Sequence, residues 1–294
     1  MNELIDIIGN TPLVELKRLN PNKGVSVFAK LEGNNPGGSV KDRTALGLIQ
    51  DALDSGQINS ETKLIEATSG NTGIALAMIA RIKNLHIELV MPENSTRERI
   101  LTMKAYGAKV TLTPEAGGME ASIDYMNSKV SNEGYLMLNQ FGNLANPKVH
   151  YNTTGPEIFR DTQGEVTHFV SAMGTTGTIM GVSKYLKEQN DQIQIIGAQP
   201  ANEAKIPGIR KWPMEYLPKI FEPNRVDRIV EVSEEEARSF AKKLALEEGI
   251  FAGMSSGGAL AVALKIAAEI KSGIIVFIVC DRGDKYLSTD LFDN

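Results

Sequence analysis

The chain has 294 residues, of which 42% are hydrophobic and 23% are charged, and its formal net charge is −5. There is enough apolar material for a large core, which excludes a disordered protein, and the length allows two subdomains or one large α/β domain. The negative charge and the lack of a Lys/Arg-rich run argue against nucleic acid or a membrane surface as a partner.

Cysteine and histidine are scarce. Cys280 is the only cysteine, which excludes a disulfide within the chain and a CxxC motif. The three histidines lack the spacing of metal ligands, so we expect no metal site. No basic segment with a following apolar run opens the chain, and no apolar run could span a bilayer. These features predict a reduced, cytoplasmic protein.

Short β-rich runs alternate with helical stretches in the N-terminal half. The predicted strands are 25–31, 63–66, 86–91 and 109–113, and the predicted helices are 41–52, 72–81 and 95–106. The second half repeats the pattern. Its predicted strands are 168–172, 194–198 and 274–280, and its predicted helices are 178–188, 259–270 and one that opens at Ser233 with Glu236 as its capping-box partner.

This order of elements predicts an α/β fold with two mostly parallel sheets flanked by helices and a cleft between them. We expect an N-terminal subdomain over residues 1–145 and a C-terminal subdomain over residues 146–294. Residues up to about 34 are expected to cross to the other sheet.

Two glycine-rich turns follow predicted strands and precede predicted helices. Residues 68–73, Thr-Ser-Gly-Asn-Thr-Gly, place backbone N–H groups at a helix N-terminus, which suits a carboxylate, although a tight turn capped by Ser69 or Asn71 explains the same residues. Residues 174–178, Gly-Thr-Thr-Gly-Thr, suit a single phosphate. They match neither the dinucleotide fingerprint nor a P-loop.

A third turn and one lysine complete the candidate site. In Gly253-Met254-Ser255-Ser256-Gly257-Gly258, a serine could contact a ligand or cap the helix predicted from Ala259. Lys41 follows a Pro-Gly-Gly turn at the start of a helix, where the helix dipole lowers the pKa of an amine. A low amine pKa is what a Schiff-base lysine needs, although most lone lysines are solvated surface groups.

Together these motifs resemble the β-family, fold type II, of pyridoxal-phosphate (PLP) enzymes, whose architecture is like that of the tryptophan synthase β chain. Within it they are similar to the branch of cysteine synthases and cystathionine β-synthases. The resemblance rests on five segments in the same order along nearly the whole chain: residues 8–13 (IGNTPL), 38–43 (GSVKDR), 68–72 (TSGNT), 174–178 (GTTGT) and 282–289 (RGDKYLST).

The resemblance implies a role for each motif residue. Lys41 would hold PLP as an internal aldimine and then remove the substrate α-proton. Asn71 would bind the cofactor ring hydroxyl, and Ser255 would face the pyridine nitrogen. The phosphate would be held by Gly174, Thr175, Thr176, Gly177 and Thr178. The substrate carboxylate would be bound by Thr68, Ser69, Gly70, Thr72 and Gln140.

A neutral serine at the pyridine nitrogen makes the ring a weaker electron sink, which favours β-elimination over a long-lived carbanion. We therefore expect O-acetyl-L-serine to lose acetate through an α-aminoacrylate, and sulfide to add, giving L-cysteine. Residues 206–213 (IPGIRKWP) and Cys280-Asp281 resemble the B-type isozymes, which implies that thiosulfate is also accepted, giving S-sulfocysteine. Arg210 is the candidate ligand for that anionic donor, since guanidinium binds oxyanions in a bidentate manner.

Other functions stay open on the sequence. An O-phosphoserine-dependent synthase or a cystathionine β-synthase-like enzyme would share these motifs, and a catalytically silent PLP-fold binding protein is the non-enzyme alternative. Arg210 could equally be a surface salt-bridge residue. The resemblance also implies a homodimer.

Overall fold

The computed structural model describes residues 3–293. Within this range the strands are β1 (Leu13–Glu15), β2 (Val25–Leu31), β3 (Lys63–Ala67), β4 (His86–Pro92), β5 (Lys109–Thr113), β6 (Leu136–Met137), β7 (His168–Ala172), β8 (Gln194–Pro200), β9 (Arg228–Val232) and β10 (Gly273–Val279). The α-helices are α1 (Lys41–Asp54), α2 (Asn71–Ile82), α3 (Arg97–Ala105), α4 (Gly118–Glu133), α5 (Ala145–Asn152), α6 (Thr154–Asp161), α7 (Gly177–Gln189), α8 (Glu234–Glu248) and α9 (Met254–Glu269). No helix in residues 3–293 is long and apolar enough to cross a membrane.

The strands form two sheets, which confirms the predicted architecture. The larger sheet has the order β1-β2-β10-β7-β8-β9, and the smaller has the order β5-β4-β3-β6. Every pair is parallel except β1 with β2. Residues 13–31 therefore add two strands to the larger sheet, although they precede the smaller one in sequence.

The central strand of the larger sheet is β10, with the sequence Gly-Ile-Ile-Val-Phe-Ile-Val. It pairs with β2 on one side and β7 on the other. Alternate residues enter different cores, since Phe277 packs in the cluster that includes Leu260 whereas Val276 packs in the cluster that includes Ile179. A strand that is apolar on both faces needs helices on both sides of the sheet, and α9 and α7 cover them.

Three α-helices were absent from the sequence-based expectation, namely α4, α5 and α6. Helix α5 is eight residues long, and its buried residues are Ala145, Asn146 and His150, so it lacks the apolar periodicity that marks a helix in a sequence. By contrast, α8 begins with the predicted capping box, because Ser233 Oγ accepts from the Glu236 N–H and the Glu236 carboxylate accepts from the Ser233 N–H.

A buried cluster of ion pairs joins the larger sheet to α1 and α6. Arg43 donates to Glu32 Oε2 at 2.8 Å and to Glu157 Oε1 at 2.7 Å, and Lys30 Nζ lies 2.8 Å from Glu157 Oε2. Thr11 Oγ1 donates to Glu32 Oε1 at 2.7 Å. Burial alone would raise the pKa of Glu157, but Arg43 and Lys30 lower it to about 2. Removal of one charge would leave its partners buried and unpaired, which is strongly destabilising.

We expect the substitution Arg43→Met to lower the free energy of unfolding by about 3–5 kcal/mol, because it leaves two buried carboxylates facing one lysine. Arg228→Met is the matched control, since Arg228 pairs with Glu269 at the surface, where an ion pair contributes at most about 1 kcal/mol. Urea unfolding of both variants measures the difference. Equal losses in the two variants would contradict a special role for the buried cluster.

The same cluster predicts a loss of stability in acid. Glu157 has a lower pKa in the folded chain than in the unfolded chain, so its contribution is complete above about pH 4.5 and declines as pH falls toward 2. The free energy of unfolding, measured by urea titration at several pH values, should decrease over this window. In the Arg43→Met variant the free energy of unfolding should fall less steeply with decreasing pH. An unchanged pH dependence in that variant would contradict the attribution of the acid sensitivity to Glu157.

Candidate active site

The predicted glycine-rich loops meet at one cleft, at the carboxyl ends of the parallel strands. Ligands of open α/β sheets bind at this edge. The loop after β3, the loop after β7 and the residues after β10 all reach the cleft. Its lining residues come from strands of the larger sheet, from the starts of helices and from the loops between them: Val40, Lys41, Asn71, Ser171, Ala172, Gly174, Thr175, Thr176, Thr178, Gly208, Ser255, Ile278, Cys280 and Tyr286.

Lys41 is the first residue of α1, and its segment is bound to the end of β10. The Val40 N–H donates to the Cys280 carbonyl at 2.8 Å, and Ser39 forms an antiparallel bridge with Asp281. Burial lowers the pKa of the Lys41 amine and outweighs the opposing influence of Asp281 and Cys280. A lysine with a lowered pKa carries more free amine at neutral pH, which can act as a nucleophile or a base.

The loop from Gly174 to Thr178 has the form of an anion cradle. Thr176 adopts a left-handed conformation with φ of 70° and is the N-cap of α7, which begins at Gly177. Within residues 3–293, none of the turn and loop hydrogen bonds is donated by a backbone N–H of this loop. The Thr176 hydroxyl is also buried without a partner. Free N–H groups and a free hydroxyl at a helix N-terminus fit a phosphate group.

The loop after β3 leads into α2, where Thr72 contacts Gln140 from the segment after β6. Thr72 Oγ1 donates to Gln140 Oε1 at 2.9 Å, and both residues are buried. Helix α2 begins at Asn71, with Gly70 as an N-cap that has no side-chain hydrogen bond, so neither Ser69 nor Asn71 caps it. Thr68 is buried, with its N–H bound to the Val90 carbonyl. A Cβ on Gly70 would meet nothing within 4 Å, so the loop faces open space.

Asn71 is held by Asp281 and by Lys285, a residue of the C-terminal motif 282–289. Its Nδ2 donates to Asp281 Oδ2 at 2.6 Å, and its Oδ1 accepts from Lys285 Nζ at 2.9 Å. Tyr286 donates to the same Asp281 oxygen at 2.7 Å, and Lys285 also donates to the Gly37 carbonyl at 2.8 Å. Residues 282–289 are one of the segments that resemble the enzyme family, but nothing in the sequence indicates that Asp281 or Lys285 contacts Asn71. They fix the orientation of its amide in the cleft.

The third glycine-rich segment is helical, which corrects the expectation that a helix begins at Ala259. Helix α9 begins at Met254, and Gly253 is an N-cap without a side-chain hydrogen bond. Neither serine caps it. Ser255 lies in the lining of the cleft, whereas Ser256 Oγ accepts from the Cys280 N–H at 2.9 Å. Gly257 lets α9 approach α8 closely, because a Cβ there would lie 2.0 Å from the Ala237 carbonyl oxygen.

Cys280 lies in the same lining, directly after the last residue of β10. Burial raises the pKa of its thiol to about 11, and Asp281 adds to this effect, whereas Lys41 and Ser255 oppose it. The thiol is therefore protonated at neutral pH. A protonated thiol is a poor nucleophile, so we assign Cys280 to the lining of the cleft and not to the chemistry.

Arg210 is exposed at the outer edge of the phosphate loop. Its guanidinium stacks over the Trp212 ring at 5.3 Å, and Trp212 Nε1 donates to the Gly174 carbonyl at 2.8 Å. The next residue, Lys211, forms a surface ion pair, in which its Nζ lies 2.5 Å from Glu231 Oε1. Arg210 is absent from the cleft lining itself.

The residues of the cleft fit PLP. The free N–H groups and the Thr176 hydroxyl suit its phosphate, the Lys41 amine suits its aldehyde, and Ser255 offers a neutral hydroxyl to its ring nitrogen. Among residues 3–293, no group of three or more His, Cys, Asp or Glu side chains could hold a metal ion.

Comparisons with known proteins place this cleft in a family. The profile of the family described as "Pyridoxal-phosphate dependent enzyme" matches residues 4–281. Cysteine synthase B of Pseudomonas aeruginosa is 54% identical over 291 residues, which cover 99% of this chain and 97% of that protein. Cysteine synthase B of Escherichia coli is 51% identical over 292 residues, which cover 99% and 96%.

The crystal structure of a cysteine synthase from Entamoeba histolytica superposes with a TM-score of 0.94 at 38% identity, covering 100% of this chain and 91% of that one. The fold and the cofactor chemistry of the cleft agree with these relatives. The chain belongs to the family of pyridoxal-phosphate-dependent enzymes, and within it to the cysteine synthases.

Proposed function

We propose that this enzyme makes L-cysteine from O-acetyl-L-serine and sulfide and releases acetate. The observation that carries the proposal is the single cleft in which Lys41, the loop 174–178 and Ser255 meet. The names of the cysteine synthase B relatives at 51–54% identity support the product. Support for O-acetylserine comes from a second Entamoeba structure with a TM-score of 0.92, described as an O-acetylserine sulfhydrylase.

Each part of the cleft has a separate task in this reaction. The loop 174–178 would hold the cofactor phosphate and Asn71 its ring hydroxyl, while PLP, when bound, supplies the electron sink for loss of the β-substituent. Thr68, Ser69, Gly70, Thr72 and Gln140 would bind the substrate carboxylate, which orients the α-proton toward Lys41. The Lys41 amine then removes that proton, and its lowered pKa leaves it free to do so.

Ser255 would direct the reaction after proton removal. Its hydroxyl is neutral and buried, so it offers the ring nitrogen a hydrogen bond without the charge of a carboxylate. Loss of acetate is then favoured over other fates of the substrate, and sulfide adds to the β-carbon. In the direct test, protein loaded with PLP should release acetate from O-acetylserine and form cysteine in equal amounts once sulfide is present. Release of phosphate from O-phosphoserine with no acetate from O-acetylserine would favour the phosphoserine-dependent alternative.

We expect Lys41→Ala to lower kcat by about 10³-fold or more, because it removes both the cofactor anchor and the base. Acetate release measures the effect, and thermal unfolding checks that the variant is folded. Lys205→Ala is the control, since Lys205 is exposed and outside the cleft. A Lys41→Ala variant that turns over at the wild-type rate would rule out the proposed chemistry.

We propose in addition that thiosulfate serves as a second sulfur donor and yields S-sulfocysteine. Arg210 supports this proposal, because its guanidinium is exposed, lies over Trp212, and has two parallel N–H groups for the oxygens of such an anion. Sulfide has no oxygen atoms to bind, so the two donors should depend on Arg210 to different extents.

Arg210→Ala should lower kcat/KM for thiosulfate by about tenfold, because one charge-assisted hydrogen bond is lost. The kcat/KM for sulfide should stay within about twofold of the wild-type value. Lys211→Ala is the matched control, because Lys211 is the next residue but binds Glu231 and Asn202. Steady-state rates with each donor give the comparison. Equal losses for both donors in Arg210→Ala would refute a donor-specific role.

We also propose that the enzyme acts as a homodimer in the cytoplasm, on small molecules and without nucleic-acid or membrane partners. The resemblance to fold type II enzymes supports the homodimer. The lone cysteine supports a reduced compartment, and the net charge of −5 supports the lack of a nucleic-acid or membrane partner. Light scattering on the holoenzyme measures its mass, and a monomer at micromolar concentration would contradict it.

A further inference from the structure

Helix α5 carries two buried polar side chains that have no part in the proposed function so far. Asn146 and His150 are four residues apart, so they lie on the same face of the helix, and neither side chain is exposed. That face packs against α1, which begins with Lys41, and against α7, which begins in the phosphate loop. Burying an amide and an imidazole costs free energy unless both are hydrogen-bonded, so their partners show what they hold in place.

Asn146 bonds to both loops that bind ligand. Its Nδ2 donates to the Gln140 carbonyl at 2.8 Å and to Thr175 Oγ1 at 3.3 Å. Its Oδ1 accepts from Thr44 Oγ1 of α1 at 3.2 Å. One amide therefore links the expected carboxylate-binding residue, the phosphate loop and the helix that carries the lysine.

His150 bonds to the phosphate loop but not to Gln140. Its Nε2 lies 3.3 Å from Thr178 Oγ1 and 3.3 Å from Thr44 Oγ1, and its Nδ1 lies 2.9 Å from Thr154 Oγ1. Burial lowers the pKa of the imidazole to about 3, an effect that nearby Arg43 reinforces. The ring is therefore neutral at physiological pH and orients these hydroxyls without adding a positive charge.

The backbone leaves these side chains little freedom. A Cβ on Gly177 would lie 2.0 Å from Asn146 Oδ1, and a Cβ on Gly181 would lie 2.6 Å from His150 Cβ. Helix α5 thus lies directly against the first turn of α7. A displacement of either side chain would be transmitted to the phosphate loop, because close-packed interiors transmit strain.

We propose that Asn146 and His150 are positioning residues that act on different parts of the cleft. Asn146 fixes the loop at Gln140 relative to the phosphate loop, so it affects substrate binding and cofactor binding together. His150 orients Thr178 and affects cofactor binding alone. This inference rests on the proposed function, because it takes Gln140 as a substrate ligand and residues 174–178 as phosphate ligands.

The test compares three variants. Asn146→Asp keeps the size of the side chain and removes both N–H donors, and His150→Gln keeps a neutral polar side chain. Ser183→Ala is the matched control, since Ser183 is buried in α7 but donates only to the Met180 carbonyl of its own helix. Equilibrium dialysis of apoprotein gives the Kd for PLP, the ³¹P resonance of bound PLP reports the phosphate environment, and steady-state rates give KM for O-acetylserine.

Asn146→Asp should raise both the Kd for PLP and the KM for O-acetylserine by about tenfold, the cost of about one buried hydrogen bond each. His150→Gln should raise the Kd for PLP and shift the ³¹P resonance, with KM within about twofold of wild type. Ser183→Ala should leave all three quantities unchanged. If Asn146→Asp does not fold, Asn146→Ser removes the amide without burying a charge and should give the same pattern.

The proposal is overturned if the folded Asn146 variant matches Ser183→Ala, or if His150→Gln raises KM as much as the Asn146 variant does. If the wild type turns over normally and either of these results is found, the positioning roles are rejected but the proposed function is not. A wild type that releases no acetate from O-acetylserine rejects the proposed function instead.

Discussion

The buried cluster around Arg43 is the constraint on which the rest of the site depends. Arg43 lies two residues after Lys41, and its bonds to Glu32 and Glu157 fix the first turn of α1 against the larger sheet and α6. Within the same turn, Asp42 accepts from the Gly37 N–H at 2.5 Å and so holds the Pro-Gly-Gly turn. A lysine that anchors a cofactor must point in one direction, and these buried contacts set that direction.

The end of β10 has a comparable role on the other side of the cleft. Cys280 binds the backbone of the lysine segment, and Asp281 binds the amide of Asn71. Because β10 pairs with β2 on one edge and β7 on the other, its position in the larger sheet is fixed, and so is the position of its end. The segment of Lys41 and the side chain of Asn71 are therefore both bound to the end of the same strand, although the two residues are 30 positions apart in sequence.

The sequence predicted the parts of this site that have local signatures. A glycine-rich turn between a strand and a helix is such a signature, so Gly174–Thr178 and Thr68–Gly73 were found with nearly correct helix starts. Asn146 and His150 have none, because their helix is short and lacks an apolar stripe. The start of α9 was missed for a related reason: Gly257 reads as a turn residue in the sequence, but it serves the contact between two helices.

The protonation state of the Cys280 thiol affects which sulfur can react in the cleft. Cys280 lines the cleft in which the β-carbon of the substrate would be activated toward sulfur. Because burial raises the pKa of this thiol to about 11, the protonated form predominates at neutral pH. A protonated thiol is a weak nucleophile, so the cysteine of the protein itself would compete poorly with sulfide for that carbon.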